Sequence, residues 1–254
     1  MRIDTYLYEN GYFESREKAK KAIADARVKL CGKTVNKPSV DVSENCEITV
    51  IPSEKSEYVG RGGIKLEYAL ESFAVNPCGM RAIDIGASTG GFTDCLLQRG
   101  AEKVYAVDIG HGQLHKSLVE NSKVVNLEGI NAREMTADIV DAEPCDIAVS
   151  DLSFISQKLV IPTVRNVLKD GGIYILLIKP QFEAGREHLN KNGIVKSEKA
   201  RLKAVDEVIS FAESFGFELL GSCTSPIEGG SGNIEYLAGF RYNAKVSDIK
   251  INNT

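Results

Sequence analysis

The stretch Asp84-Ile85-Gly86-Ala87-Ser88-Thr89-Gly90-Gly91 decides the fold. It closes an apolar run of strand length, 81–85, and opens 92–99, where apolar residues recur at helical spacing. A strand that turns through small residues straight into a helix lets the backbone approach a ligand and aims free helix amides at it. Asp108, 22 residues beyond Gly86, closes the next strand. An acid there can accept hydrogen bonds from both ribose hydroxyls of an adenosine cofactor. A dinucleotide site needs Gly-x-Gly-x-x-Gly, its second glycine clearing space for pyrophosphate. Ser88 stands at that place, so the loop favours S-adenosylmethionine, which has no pyrophosphate, over NAD. The cofactor candidates are Asp84, Gly86, Ser88, Gly90, Phe92, Asp108 and Asp151.

Outward from this loop, strand-like and helix-like segments alternate. Strands are predicted at 81–85, 103–108, 123–127, 146–150, 172–179, 217–223 and 234–240, and helices at 64–73, 92–99, 155–168 and 196–215. Such alternation predicts a seven-stranded, mostly parallel, Rossmann-like α/β sheet covered on both faces. Only the turn-rich segment 224–233 separates the last two strands, so they should pair antiparallel.

With 254 residues, 43% hydrophobic and 26% charged, the chain has the profile of a globular protein with a large core. Its start shows no signal peptide, and no apolar run reaches the roughly 20 residues of a membrane span. Six scattered cysteines, Cys31, Cys46, Cys78, Cys95, Cys145 and Cys223, lack any C-x-x-C pair. They are expected to be small buried hydrophobes rather than disulfide partners or metal ligands, in a reducing cytoplasm. His111 and His115 are four apart but flanked by Gly110 and Gly112, and a third ligand is not evident, so no metal is expected.

Four polar residues fall at the ligand-binding edge of this sheet. Asp151 follows the strand 146–150, Lys179 ends the very apolar run before Pro180, and Glu235 opens the last strand. That strand, being antiparallel, starts where the parallel strands end. Lys65 opens the helix ahead of the first strand. A lone lysine at a strand end usually snorkels to solvent; four such residues converging beside a cofactor loop point to catalysis.

The first fifth of the chain is different. Two short helices are predicted, Ser15 capping the second, whose Ala19, Ala22, Ile23 and Ala26 form one apolar stripe. Residues 28–35 alternate like a strand pair broken at Gly32. Between 15 and 37 there are eight Lys/Arg against Glu17 and Asp25, a local net of +6 in a chain of net charge -4. That asymmetry favours phosphate contacts by Arg2, Arg16, Lys18, Lys20, Lys21, Arg27 and Lys29. The expected organisation is a small α+β module over 1–51, a linker over 52–60, the large domain over 61–243 and a tail over 244–254.

Arg2-x-Asp4-x-x-Leu7, Ser15-Arg16-x-x-Ala19 and the Gly32 hairpin resemble the S4 RNA-binding domain. Lys65, Asp151, Lys179 and Glu235 match in order the K-D-K-E tetrad of the RrmJ/FtsJ-like ribose 2′-O-methyltransferases. The phrases Gly60-Arg61-Gly62-Gly63-Ile64-Lys65-Leu66, Ser150-Asp151-Leu152-Ser153-Phe154-Ile155 and Ile178-Lys179-Pro180-Gln181-Phe182-Glu183 look like the TlyA (hemolysin A) family. The resemblance implies methylation of ribose 2′-hydroxyls in 16S or 23S ribosomal RNA, on cytidine, with S-adenosylmethionine as donor. In that chemistry Lys179 is the base or alkoxide stabiliser, and a neighbouring Lys65 destabilises its ammonium. Ser56-Glu57-Tyr58-Val59 departs from an R-x-W-V linker that the family can carry. The competing readings are a membrane-active hemolysin, an RNA-binding protein without catalysis, and a dinucleotide oxidoreductase. They are disfavoured respectively by the absence of an amphipathic or spanning segment, by the intact tetrad, and by Ser88.

Overall fold

The computed structural model describes residues 1–13, 15–42, 46–51, 58–230 and 232–245, in two compact units, Met1–Glu57 and Tyr58–Thr254. In the small unit, α1 (Ile3–Glu9) and α2 (Arg16–Ala24) bury Ile3, Leu7, Ala19, Ala22 and Ile23 against a three-stranded sheet. Ser15 caps α2 by accepting the Lys18 amide at 3.2 Å. β1 (Val28–Leu30) pairs antiparallel with β2 (Lys33–Thr34) through a turn at Cys31 and Gly32, both at positive φ, and with β3 (Ile48–Val50) on its other side.

That pairing overturns one expectation. The Cys31 amide bonds the Glu47 carbonyl at 2.8 Å, and Cys31 and Cys46 form a disulfide with Cα atoms 5.3 Å apart. Fifteen residues of sequence separate them with no diagnostic spacing; the β1–β3 register joins them. Cys95 and Cys145 are buried as expected, whereas Cys223 is half-buried and Cys78 is exposed.

The large unit is a seven-stranded sheet. Its strands, in chain order, are β4 (Arg81–Ile85), β5 (Lys103–Asp108), β6 (Val124–Glu128), β7 (Cys145–Ser150), β8 (Leu168–Ile178), β9 (Phe217–Thr224) and β10 (Tyr236–Tyr242). They are ordered β6-β5-β4-β7-β8-β10-β9, with only β10 antiparallel to its neighbours. Because strand side chains alternate faces, Tyr174, Leu176 and Ile178 enter one core and Ile173, Ile175 and Leu177 the other. The second core is covered by α3 (Gly62–Ser72) and α4 (Gly91–Gln98), the first by α8 (Glu198–Ser214) and shorter turns. Truncating one such fully buried leucine to alanine should cost about 2–5 kcal/mol.

The helix expected over 155–168 is instead a 3₁₀ turn at Gln157–Leu159, a four-residue α6 (Ile161–Val164) and an early start to β8. Pro162 has no amide to continue a helix and is accommodated only in a first turn. Of the expected linker and tail, 52–57 and 246–254 lie outside the described residues. Tyr58 to Gly60 belong to the large unit, where the Val59 amide bonds Asp94 at 2.8 Å. Two further short helices, α5 (Lys116–Val119) and α7 (Pro180–Glu183), follow β5 and β8.

Candidate active site

The loop after β4 is built for close approach. Gly86 has φ 85°, and a Cβ on it would lie 2.8 Å from the Asp151 carbonyl oxygen. A Cβ on Gly91 would lie 3.0 Å from the Gly63 amide and 3.1 Å from the Gly60 carbonyl. The starts of α3 and α4 therefore abut backbone to backbone, which explains the Gly60-Arg61-Gly62-Gly63 run and draws Lys65 toward the cofactor loop. Gly90, at φ 94°, serves the turn itself: the space beside it belongs to Leu114 and Leu118, and it lines neither cavity described below.

Asp108 ends β5 with both carboxylate oxygens held by backbone amides, Ser88 at 2.8 Å and Gly110 at 2.7 Å. It borders a cavity of about 560 Å³ with Gly86, Ser88, Ile109, Asn131 and Phe154. A second cavity, about 160 Å³, shares Gly86, Ser88, Asp151 and Ser153 with the first and adds Asp84, Phe92 and Lys179. Asp84 is fully buried; one oxygen accepts the Thr93 amide at 2.9 Å and hydroxyl at 2.7 Å, while the other has no partner. Burial pushes its carboxyl up to about 7, and the charges of Asp151 and Asp108 push the same way against the Thr93 bonds. An orphaned buried acceptor in a small cavity fits a cationic ligand group.

The tetrad forms two ion pairs. Lys179 Nζ lies 2.6 Å from Asp151 Oδ1 and donates to Ser153 Oγ at 2.9 Å. Lys65 Nζ lies 2.5 Å from Glu235 Oε2, with both side chains buried. Tyr236 pairs with Ile178 in the β10–β8 register, so its continuation sets Glu235 opposite Lys179. Each lysine of the tetrad thus has a carboxylate partner, Asp151 for Lys179 and Glu235 for Lys65.

Behind these residues sits a buried network that sequence reasoning missed. Gln157 accepts from Ser150 Oγ at 3.0 Å and donates to the Leu177 carbonyl at 2.9 Å, joining the ends of β7 and β8. Glu183 accepts the Ser156 hydroxyl at 2.5 Å and the Gln157 amide at 2.7 Å. The loops that carry Asp151 and Lys179 are therefore fixed to one another. Phe154, between them, has φ 66° and is 88% exposed, its ring centroid 5.4 Å from that of Phe182. Its sequence signal was its place in the phrase Ser150-Asp151-Leu152-Ser153-Phe154-Ile155.

In the small unit, Asp4 is wholly buried and paired with Arg2 at 3.0 Å and Arg16 at 2.8 Å, which hold its carboxyl well below the usual range. Lys20 pairs with Glu17 at 2.6 Å, Arg27 donates to the Ile51 carbonyl, and Lys21 is exposed. Arg2 and Arg16 thus carry a structural task that the sequence did not reveal, although both stay about half exposed.

The sheet order, the glycine loop and the acid closing β5 define a Rossmann-like class I methyltransferase. Family models match an FtsJ-like methyltransferase over residues 58–242 and an S4 domain over 1–48. Hemolysin A of Brachyspira hyodysenteriae is 41% identical over 240 residues, 94% of this chain and 99% of that one. The 16S/23S rRNA (cytidine-2′-O)-methyltransferase TlyA of Mycobacterium tuberculosis is 39% identical, covering 94% of this chain and 89% of its own. A solved hemolysin-named structure from Streptococcus thermophilus superposes with TM-score 0.72 at 41% identity, over 99% of this chain and 93% of that one. The chain belongs to the TlyA (hemolysin A) family, in which an S4 domain is joined to an FtsJ-like methyltransferase domain.

Proposed function

We propose that this enzyme methylates ribose 2′-hydroxyls of ribosomal RNA, on cytidine as its mycobacterial relative is named for, using S-adenosylmethionine in the cytoplasm. The observation that carries the reading is the Lys179–Asp151 pair on the wall of the cavity that also holds the unpartnered oxygen of Asp84. Asp108 would hold the cofactor's ribose hydroxyls in the larger cavity, and Asp84 its α-ammonium in the smaller one. Ser88, bonded through its amide to Asp108, stands where a dinucleotide site needs glycine.

When bound, the cofactor supplies an electrophilic methyl group on a sulfonium sulfur. For a ribose hydroxyl to take that methyl its proton must leave, and this chain's own side chains serve that proton. Lys179 Nζ would take that proton, having passed one of its own to Asp151 or to water; the alternative is that it stays charged and stabilises the alkoxide. Ser153 Oγ fixes the direction of Nζ. Glu235, paired with Lys65, would orient that lysine as Asp151 orients Lys179. Arg2, Arg16, Lys18, Lys20, Lys21, Arg27 and Lys29 of the S4 domain would meet RNA phosphates.

No helix among the described residues is long and apolar enough to cross a membrane. The test is to map 2′-O-methylation on ribosomal RNA from cells with and without this protein. A site lost on deletion and restored by the wild-type chain, but not by Lys179→Ala, is expected. Identical maps would overturn the assignment.

A further inference from the structure

Between β8 and α8 lies a second basic stretch, outside the S4 domain and untouched by the chemistry above. Residues 186–203 hold six Lys/Arg, namely Arg186, Lys191, Lys196, Lys199, Arg201 and Lys203, against Glu187 and Glu198, a local net of +4 in a chain of net -4. Elsewhere on this unit several cations are matched: Lys103 with Asp141, Lys158 with Glu207, Lys169 with Asp146, and Arg99 with Glu67 and Glu71. Arg186, Lys191, Lys196 and Lys199 are exposed, and none has an ion-pair partner among the described residues.

A solvated loop would need no internal support, yet this one is held firmly. Leu189 and Val195 form an antiparallel bridge, and Asn190 closes the turn by accepting the Asn192 amide at 2.8 Å and the Ile194 amide at 2.9 Å. That turn puts Lys191 at a tip. The flap is then fastened at its root. Asn233, 1% exposed, accepts the Val195 amide at 3.2 Å and donates to the Gly193 carbonyl at 3.1 Å. Arg201 donates to the Val195 and Lys196 carbonyls and to the Tyr236 hydroxyl. Asn233 and Tyr236 flank Glu235, and Tyr236 pairs with the residue before Lys179. The flap root and the tetrad thus share an anchor.

We infer that the flap 186–197, with the first turn of α8, is an RNA clamp on the catalytic domain that grips backbone phosphates next to the target ribose. Like charges held unpaired on a rigid support repel until an anion arrives, and the phosphates of a nucleic-acid backbone are the anions that such a cluster fits. Ser197 caps α8, so the amide end of that helix adds a favourable partial charge. The inference rests on the ribosomal RNA reading above and adds where the substrate is held.

The test neutralises Lys191, Lys196 and Lys199 to glutamine in the full chain. RNA affinity and methyl transfer are then measured with ribosomal RNA over a range of salt. Loss of three phosphate contacts should make the slope of log K against log salt shallower by about 2–3 and weaken binding at moderate salt by roughly ten- to a hundredfold. KM for RNA should rise while kcat at saturating RNA and S-adenosylmethionine affinity stay as in the wild type. A control chain with Lys103, Lys123 and Lys169 changed to glutamine, at the opposite end of the sheet, should keep the wild-type slope. An unchanged slope in the flap variant, or an equal change in the control, overturns the clamp. A wild-type chain that methylates no ribosomal RNA instead overturns the reading beneath it.

Discussion

Lys65 and Glu235, 170 positions apart in the chain, meet at 2.5 Å in a place that water barely reaches. Removing one partner leaves the other buried and uncompensated, which costs about 3–5 kcal/mol, whereas replacing both by apolar groups costs far less. Glu235→Ala and Lys65→Ala should each lower stability by that amount in urea denaturation and abolish methyl transfer. The double change Lys65→Met with Glu235→Leu should recover stability but not activity. A double variant whose stability loss equals the sum of the two single losses would show that the pair is not coupled.

At Lys179, alanine should abolish transfer with fold and cofactor affinity retained. Arginine separates the two roles left open above, because guanidinium keeps its proton at any working pH. Single-turnover transfer at saturating RNA is the measurement. A general base predicts a loss of at least a hundredfold in Lys179→Arg; substantial remaining activity leaves alkoxide stabilisation.

Asp84 makes stability depend on pH. An unfolded aspartate titrates near 4, and the buried carboxyl near 7. Below pH 4 both states are protonated. Between 4 and 7 the unfolded chain releases a proton that the folded chain keeps, so stability falls as pH rises and levels off above 7, a loss of about 4 kcal/mol. Asp84→Asn keeps an acceptor for Thr93 and removes the ionisation. Denaturation midpoints of the two chains should converge at low pH and separate, with the variant the more stable, by pH 8. Parallel curves would rule out the coupling.

For the small unit, neutralising Lys18, Lys20 and Lys21 should make the salt dependence of RNA binding shallower by about 2–3 in slope. The Lys20–Glu17 pair on the surface is worth too little to mask this. Arg16→Ala should behave differently, lowering the unit's melting temperature because Asp4 loses a partner while buried. Circular dichroism of the full chain beside a filter-binding titration distinguishes the two effects.

Thiol titration of the denatured, non-reduced chain should count four free cysteines of six, and six after reduction. A disulfide closing a 15-residue loop stabilises by about 3 kcal/mol, so Cys46→Ser should weaken the small unit by that order only when no reductant is present.

The cofactor loop and the strand ends were legible because each is a local pattern. Gly86 needs a positive φ, Asp108 closes an apolar run, and Lys179 precedes a proline. Glu235 could be placed because only a short loop precedes its strand, which forces β10 to run back along β9. The Cys31–Cys46 bond, the Gln157–Glu183 network and the double use of Arg16 were not legible. Each depends on which distant backbone happens to lie within bonding reach, and spacing along the chain carries no record of that. The 155–168 stretch misled because its apolar spacing suits a helix while Pro162 and the pull of β8 break it.

The seam between β8 and β10 sets an order of events during synthesis. β4 to β6, with the glycine loop and Asp108, leave the ribosome early and hold their neighbours through parallel pairs formed among themselves. Glu235 emerges more than a hundred residues later, and its strand must insert between β8 and β9 before Lys65 gains a partner. A nascent chain can therefore shape its cofactor cradle while its catalytic centre is still unmade. The long separation also makes this closing step slow relative to local folding. Chains stalled before β10 should be chaperone substrates: folded enough to be compact, with the edges of β8 and β9 still open.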